Sequence, residues 1–180
     1  MDNDSNIKAA VPCASSLPAD GEAERFGLFP GISLEFLTLN GCRSIASCGS
    51  GEKILELNYC KSGRLGLKLG GGQRVYLGPG DFSVHVSGSG AECVAPLPTG
   101  RYEGLRLLVD LSSLTREPPE LLSGTGITGE MLCDKFSSGC PLSSYAGNHA
   151  TAGIFDGFYG QPEELRTACL RVKTLELLLY

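Results

Sequence analysis

The sequence predicts a mainly β protein with some α: an antiparallel β-barrel followed by C-terminal helices. Between residues 54 and 85, short apolar segments alternate with turns marked by glycine, as at Gly70-Gly71-Gly72 and at the Pro79-Gly80-Asp81 corner. After Asp110 the pattern changes, because proline and polar residues begin segments whose apolar residues recur at helical spacing. Many short strands at near-regular spacing are typical of a small closed barrel.

Six strands are predicted inside the barrel. Alternating apolar and polar side chains mark them at residues 33–39, 54–60, 64–69, 73–77, 82–86 and 103–110. In the second strand Leu55, Leu57 and Tyr59 share one face, and Glu56 and Asn58 share the other, because successive side chains of a strand alternate. The residues alone leave open which of these two faces points into the barrel.

Helices are predicted after the barrel. Proline at the start and glycine at the end mark the first one at residues 118–124. Thr128 and Asn148 are the expected N-caps of the second and third helices. Pro162 and the two glutamates after it begin the last helix, where they favour its dipole.

Three regions divide the chain. Residues 1–25 lack periodicity and are rich in Pro, Ser, Asp and Glu, which predicts a flexible N-terminal arm. Residues 26–110 are the predicted barrel, and residues 111–180 are the predicted helical segment. Because the last helix runs through apolar Leu177-Leu178-Leu179-Tyr180 without a cap, we expect the chain to be cut before a further domain.

The composition limits the classes of function. With 15 Lys+Arg and 20 Asp+Glu the net charge of the 180 residues is −5, which disfavours direct binding to a nucleic-acid backbone. The N-terminus lacks the basic and apolar regions of a signal peptide, and no apolar run approaches the ~20 residues that span a bilayer. We therefore expect a cytoplasmic protein with no membrane partner.

The eight cysteines form no C-x-x-C pair, and most lie among apolar neighbours. We expect them to be reduced and mostly buried thiols, which behave as small hydrophobic groups. A redox or soft-metal sensor is the alternative.

Five polar residues of the barrel are the candidate ligand-binding groups: Glu56, Asn58, Tyr59, His85 and Glu103. A few fixed polar groups in an otherwise apolar pocket are the usual composition of a small-molecule site. Parity along its strand favours a surface or hydrogen-bonded position for His85 over contact with a ligand. Glu103 fits an ion pair with Arg101 or Arg106 as well as a ligand contact.

A metal site is not expected. A divalent ion needs several fixed donors that converge inside the barrel, and the chain has two histidines, His85 in the barrel segment and His149 in the helical part. Phosphate-binding and hydrolase motifs are absent as well. We therefore expect no catalytic residue, no metal and no cofactor.

Several segments resemble the sensor domain of AraC-type transcription regulators. The segments lie at residues 56–64, 76–83, 102–105, 118–122 and 170–178. The Pro79-x-Asp81 corner is also a recurrent cupin feature, whereas Glu56-Leu57-Asn58 stands where the first cupin motif normally carries His-x-His. The resemblance implies a cupin-like barrel that binds a small-molecule effector, helices that join two copies into a homodimer, and DNA binding only through a helix-turn-helix domain missing after Tyr180.

Two hypotheses of different classes remain. The first is an effector-sensing and dimerisation domain of an AraC-type regulator, which is not an enzyme; the second is a cupin-fold enzyme, an isomerase or dioxygenase, with an atypical site. The missing His-x-His pair and the interrupted last helix favour the first. Dimerisation is expected to use the apolar residues spaced by three and four in the last helix, namely Leu165, Cys169, Val172, Leu175 and Leu178.

Overall fold

The strands of the protein form two antiparallel sheets. In the computed structural model, residues 21–41, 53–69, 74–87, 91–92, 97–137 and 142–180 are described. The strands are β1 (Gly21–Phe29), β2 (Ile32–Asn40), β3 (Ile54–Gly63), β4 (Leu65–Leu69), β5 (Arg74–Leu77), β6 (Phe82–Val86), β7 (Ala91–Glu92), β8 (Arg101–Asp110) and β9 (Ser143–Tyr145). The larger sheet has the six-stranded order β1-β2-β8-β3-β6-β9, and the smaller sheet has the three-stranded order β5-β4-β7.

The helices follow β8. They are α1 (Leu111–Arg116), α2 (Gly129–Ser137), α3 (His149–Asp156) and α4 (Arg166–Leu179), with 3₁₀ turns at Glu120–Leu122 and Glu163–Leu165. None of the helices in the described ranges is long and apolar enough to cross a membrane. The predicted fold class, mainly β with a cupin-like antiparallel architecture and C-terminal helices, is confirmed.

Both predicted N-caps are confirmed. The Asn148 side chain accepts hydrogen bonds from the backbone N–H groups of Ala150 and Thr151 at 2.9 and 3.1 Å. The Thr128 hydroxyl accepts one from the Met131 backbone at 3.1 Å. These caps satisfy N–H groups that have no partner within the first turn of a helix.

Some boundaries differ from the prediction. Strand β1 begins at Gly21, so residues 21–25 of the predicted arm lie in a strand, and residues 1–20 lie outside the described residues. The charged residues of this edge strand hide its alternation. The predicted helix at residues 118–124 is a single 3₁₀ turn, and α1 was not predicted because it follows β8 directly. The predicted hairpin turn at residues 70–72 lies outside the described residues.

One face of the larger sheet is apolar and is covered by the helices. The strand pairing places four apolar residues side by side on this face: Leu34 of β2, Leu107 of β8, Leu57 of β3 and Val84 of β6. These residues share the main core with Phe155 of α3 and with Leu170 and Leu175 of α4. The helices therefore cover the outer face of the barrel and bury its apolar residues.

The opposite face of the larger sheet points towards the smaller sheet. At one end, Leu37, Cys60 and Tyr102 pack in one apolar cluster with Leu65 and Leu67 of β4. This contact between the two sheets defines the barrel interior, so the interior side chains are those that alternate with the helix-covered ones.

Candidate functional site

Buried polar side chains form two rows across the interior face of the larger sheet. From β2 to β6, the first row is Glu35, Arg106, Asn58 and Ser83. The second row is Ser33, Leu108, Glu56 and His85. Every polar residue of the two rows is at most 2% exposed. We call these seven polar residues the interior polar cluster.

An ion pair occupies one side of the interior polar cluster. The Arg106 Nε donates to Glu35 Oε2 at 2.8 Å, and both side chains are fully buried. The half-exposed Arg25 side chain donates through Nε to the other Glu35 oxygen at 2.6 Å. Burial of a charge is tolerated when a partner compensates it. The pair therefore joins β2 to β8 and fixes the polar row beside it.

The polar side chains on the other side of the cluster make fewer hydrogen bonds. The Asn58 Nδ2 donates to Glu56 Oε1 at 2.8 Å, while His85 Nε2 lies 3.9 Å from Glu56 Oε2, which is too far for a hydrogen bond. Among the described residues, Asn58 Oδ1, Ser83 Oγ and both ring nitrogens of His85 find no hydrogen-bond partner. Each such group costs about 1–3 kcal/mol when buried, so this part of the barrel carries polar atoms whose hydrogen-bonding capacity is unused among the described residues.

The structure brings together three of the five predicted ligand residues, Glu56, Asn58 and His85. The surface position favoured for His85 is wrong, because the side chain is 1% exposed. Its strand parity was correct, since Val84 and Val86 face the helices. Both faces of β6 are buried, however, and the face that carries His85 is the barrel interior.

Tyr59 lies on the opposite face of β3 and is not part of the cluster. Its ring stacks on Phe155 of α3, with centroids 4.1 Å apart and planes 10° apart. Burial raises the pKa of the Tyr59 phenol, and the nearby charge of Asp156 adds to this effect. The residue therefore anchors a helix to the sheet.

Glu103 also lies outside the cluster. Lys61 Nζ donates to its carboxylate at 2.6 Å, and Arg101 is 4.0 Å away. The hydrogen bond from Lys61 lowers the pKa of the Glu103 carboxyl. The ion-pair alternative is thus the one observed, with lysine as the main partner, because the face shared by Glu103, Leu105 and Leu107 is covered by helices.

The interior polar cluster does not fit a transition-metal centre. It contains one imidazole, and the nearest carboxylate, Glu56, is occupied by the Asn58 amide. Within the described ranges, no three His, Cys, Asp or Glu side chains form a group that could hold a metal ion. The chemistry that these residues support is hydrogen bonding.

Two described cysteines are buried free thiols, as predicted: Cys60 and Cys133. Burial raises the pKa of the Cys60 thiol to about 11, so the thiolate is scarce at neutral pH. Cys169 is a free thiol at a half-buried position. The remaining cysteines lie outside the described residues.

The predicted dimerisation residues of α4 divide into two sets. Leu175 is 6% exposed and belongs to the main core, so its assignment to a dimer surface is wrong. Leu178 is partly buried against the same core. By contrast, Leu165 and Val172 are 57% and 62% exposed. The apolar residues of α4 lie on two sides of the helix, and one of these sides packs on the larger sheet of the same chain.

Sequence reasoning missed the other four residues of the cluster, Ser33, Glu35, Ser83 and Arg106. A signal for the ion pair is nevertheless present, because Glu35 and Arg106 each interrupt an apolar strand with a charge. Charges in such strands are rarely buried unless they are paired. Two strands of this kind in one barrel therefore indicate a buried pair.

Comparisons with known proteins find the fold alone. No family model matches the chain, and no curated protein matches it. Among solved structures, ectoine synthase from P. lautus is 14% identical, with 74% of this chain and 82% of that chain covered and a TM-score of 0.40. A cupin 2 conserved barrel domain protein from Salinispora arenicola is 17% identical, with 57% and 86% covered and a TM-score of 0.43.

A protein with a double-stranded beta-helix domain from Klebsiella pneumoniae is 11% identical, with 54% and 84% covered and a TM-score of 0.44. None of these three structures is described as an AraC-type regulator. The prediction that the chain is not an enzyme is contradicted by the similarity to ectoine synthase, an enzyme; the similarity assigns no activity to this chain. The two antiparallel sheets of the chain match the predicted cupin-like architecture.

Proposed function

We propose that this chain is the effector-binding and dimerisation domain of a cytoplasmic AraC-type regulator, with the interior polar cluster as the effector site. The observation that carries the proposal is the set of buried polar atoms on Asn58, Ser83 and His85 that lack partners among the described residues. The resemblance of the sequence segments supports the regulator class. DNA binding in such a regulator would belong to a helix-turn-helix domain.

The atoms of the cluster favour a particular chemistry of effector. Asn58 Oδ1 accepts hydrogen bonds, and the Ser83 hydroxyl and the His85 ring can donate or accept them. The nearby Arg106 side chain is already ion-paired with Glu35, so we do not expect it to hold an anionic ligand. We therefore propose a small, uncharged effector that carries several hydroxyl or amide groups.

Replacing His85 with leucine tests the site. A buried polar group without a partner is costly, so the His85→Leu protein should melt at the same temperature as the wild type or higher. It should nevertheless lose its response to the effector. For the wild type, a compound at 100 times its dissociation constant stabilises by about 2.7 kcal/mol, which is roughly 5–11 °C for a domain of this size. A thermal-shift screen of small polyols and amides measures the melting temperature of each protein and the shift that each compound causes.

His149→Leu is the matched control, because His149 is an exposed histidine at the start of α3. It should keep the full response to any active compound. The proposal fails if no compound shifts the wild type, or if every active compound shifts the His85→Leu protein equally.

Dimerisation is proposed to use an apolar stripe formed by Leu165 of the preceding 3₁₀ turn and by Cys169, Val172 and Leu179 of α4. Three of these residues are more than half exposed and recur every seven residues, which is the spacing of a helix–helix seam. Val172→Glu should therefore convert a dimer to a monomer without changing the melting temperature of the barrel. Light scattering at high micromolar protein measures the mass.

Thr167→Glu is the control for dimerisation, because Thr167 is an exposed α4 residue outside the stripe. A wild-type protein that stays monomeric, or a dimer that survives Val172→Glu, contradicts this part of the proposal.

Proton-transfer catalysis of the isomerase type is a second candidate function, favoured by the buried His85–Glu56 pair. The two side chains lie 3.9 Å apart and are 1% and 2% exposed, which is an arrangement suited to general acid–base chemistry. Conversion of a bound compound, detected by NMR and abolished by Glu56→Gln, would favour this candidate. Binding without conversion would favour the sensor.

A further inference from the structure

A cavity of about 560 Å³ lies on the outer face of the larger sheet, between the sheet and the helices. Its floor is made by apolar residues of β3, β6 and β8, namely Leu55, Leu57, Val84 and Leu107. Residues of α2, α3 and α4 form its walls. The interior polar cluster lies on the opposite face of the same strands, so the two sites are separated by the sheet.

Aromatic rings form much of the cavity wall. The lining includes Phe82, Phe136, Tyr145, Phe155 and Tyr180. The Phe82 ring stacks on Tyr145 with centroids 4.8 Å apart, and it lies 5.2 Å from the Phe155 ring. Aromatic pairs prefer such stacked or tilted arrangements. A ligand with a planar ring can pack against these aromatic side chains in the same way.

Lys135 of α2 is the single charged side chain among the described residues that line the cavity. It is exposed, and its ammonium lies 5.3 Å from the centroid of the Phe136 ring. Polar groups of Ser144, Asn148 and Thr151 also belong to the lining. The cavity therefore combines an apolar, ring-lined body with one positive charge, which complements a negative charge on a ligand.

We propose that this cavity binds a planar aromatic anion, with its ring against the aromatic wall and its negative group near Lys135. The volume lies within the range of small-molecule sites, which are mostly apolar and contain few orienting polar groups. This site is additional to the proposed effector site inside the barrel, since it uses the opposite face of β3, β6 and β8.

The test uses 2-naphthoate and its uncharged analogue 2-naphthalenemethanol, titrated by isothermal calorimetry into the full chain. Charge reversal by Lys135→Glu should weaken naphthoate binding about tenfold, because it replaces attraction at the rim with repulsion. It should change naphthalenemethanol binding less than about twofold. Lys68→Glu, at an exposed position on β4 in the other sheet, is the matched control and should leave both affinities unchanged.

A second variant fills the cavity. Ala146 is an exposed residue of the lining, so Ala146→Trp should fold normally and weaken both compounds. The inference is overturned if naphthoate does not bind the wild type, or if Lys135→Glu leaves the affinity for naphthoate unchanged. It is also overturned if the affinity for naphthoate falls as the protein concentration rises, because a second copy of the chain would then cover the cavity. Binding that survives Ala146→Trp but is lost in His85→Leu would also overturn it, while supporting the proposed effector site.

Discussion

Replacement of Glu35 by alanine is expected to lower the free energy of unfolding by about 3–5 kcal/mol, because it leaves a buried charge uncompensated. The Arg106 guanidinium is fully buried and donates through Nε to the Glu35 carboxylate at 2.8 Å. Removal of the Glu35 carboxylate leaves the positive charge of Arg106 inside the barrel without its main counter-charge. Urea unfolding of the wild type and the variant measures the difference.

Two controls separate the charge effect from simple loss of packing. The double variant Glu35→Leu/Arg106→Met removes both charges, so it should recover most of the lost stability, since apolar replacement of a whole buried pair is often neutral. Arg25→Ala removes the half-exposed partner of Glu35 and should cost less than about 1 kcal/mol. A Glu35→Ala protein within about 1 kcal/mol of the wild type would show that the pair is not the buried, compensated unit described above.

Replacement of Phe155 by alanine is expected to cost about 3–5 kcal/mol. The Phe155 side chain is 1% exposed in the main core, and its ring stacks on Tyr59 at a centroid distance of 4.1 Å. It also lies 5.2 Å from the Phe82 ring. The substitution therefore enlarges the cavity that Phe155 lines between the helices and the larger sheet, and the surrounding residues can fill the new space only in part.

Tyr145→Ala is the matched aromatic control for Phe155→Ala. The Tyr145 ring also stacks on Phe82, but its side chain is 41% exposed. Its removal should cost less than about 1.5 kcal/mol, the usual worth of an exposed ring pair. Equal losses in the two variants would mean that Phe155 is not the anchor between α3 and the sheet.

Most of the barrel could be predicted from the sequence because its strands alternate clearly. Residues 33–39, 54–60 and 82–86 match β2, β3 and β6. Strand β1 could not be predicted, because its exposed charged residues break the alternation of an edge strand. Strand β9 has three residues and no apolar period of its own.

The sequence could not decide which face of each strand points into the barrel and which is covered by the helices. Apolar alternation marks a buried face, but helices cover one face of the larger sheet and the smaller sheet covers the other, so both are buried. Glu56, Asn58 and His85 lie together on the interior face. Tyr59 and Glu103 lie on the opposite, helix-covered face, and both faces supplied candidates because the sequence left open which of them points into the barrel.

The last helix shows the same difficulty in another form. Leu175 and Val172 have similar hydrophobicity and lie three residues apart, yet one is buried at 6% exposure and the other is 62% exposed. A helical period indicates which residues share a side of the helix, whereas the side that packs on the protein's own sheet depends on how the chain returns to the barrel. That return is a property of the tertiary structure.

The proposed effector site can be tested most directly by NMR of the His85 ring. The chain has two histidines, so protein labelled with ¹⁵N-histidine shows the ring nitrogens of His85 and His149 alone, and His85→Leu assigns them. On addition of a compound that stabilises the protein in the thermal screen, the His85 ring signals should shift, because its unpaired nitrogens gain a hydrogen-bond partner. The His149 signals should stay in place. Stabilising compounds that leave the His85 signals unmoved would contradict an effector site in the barrel.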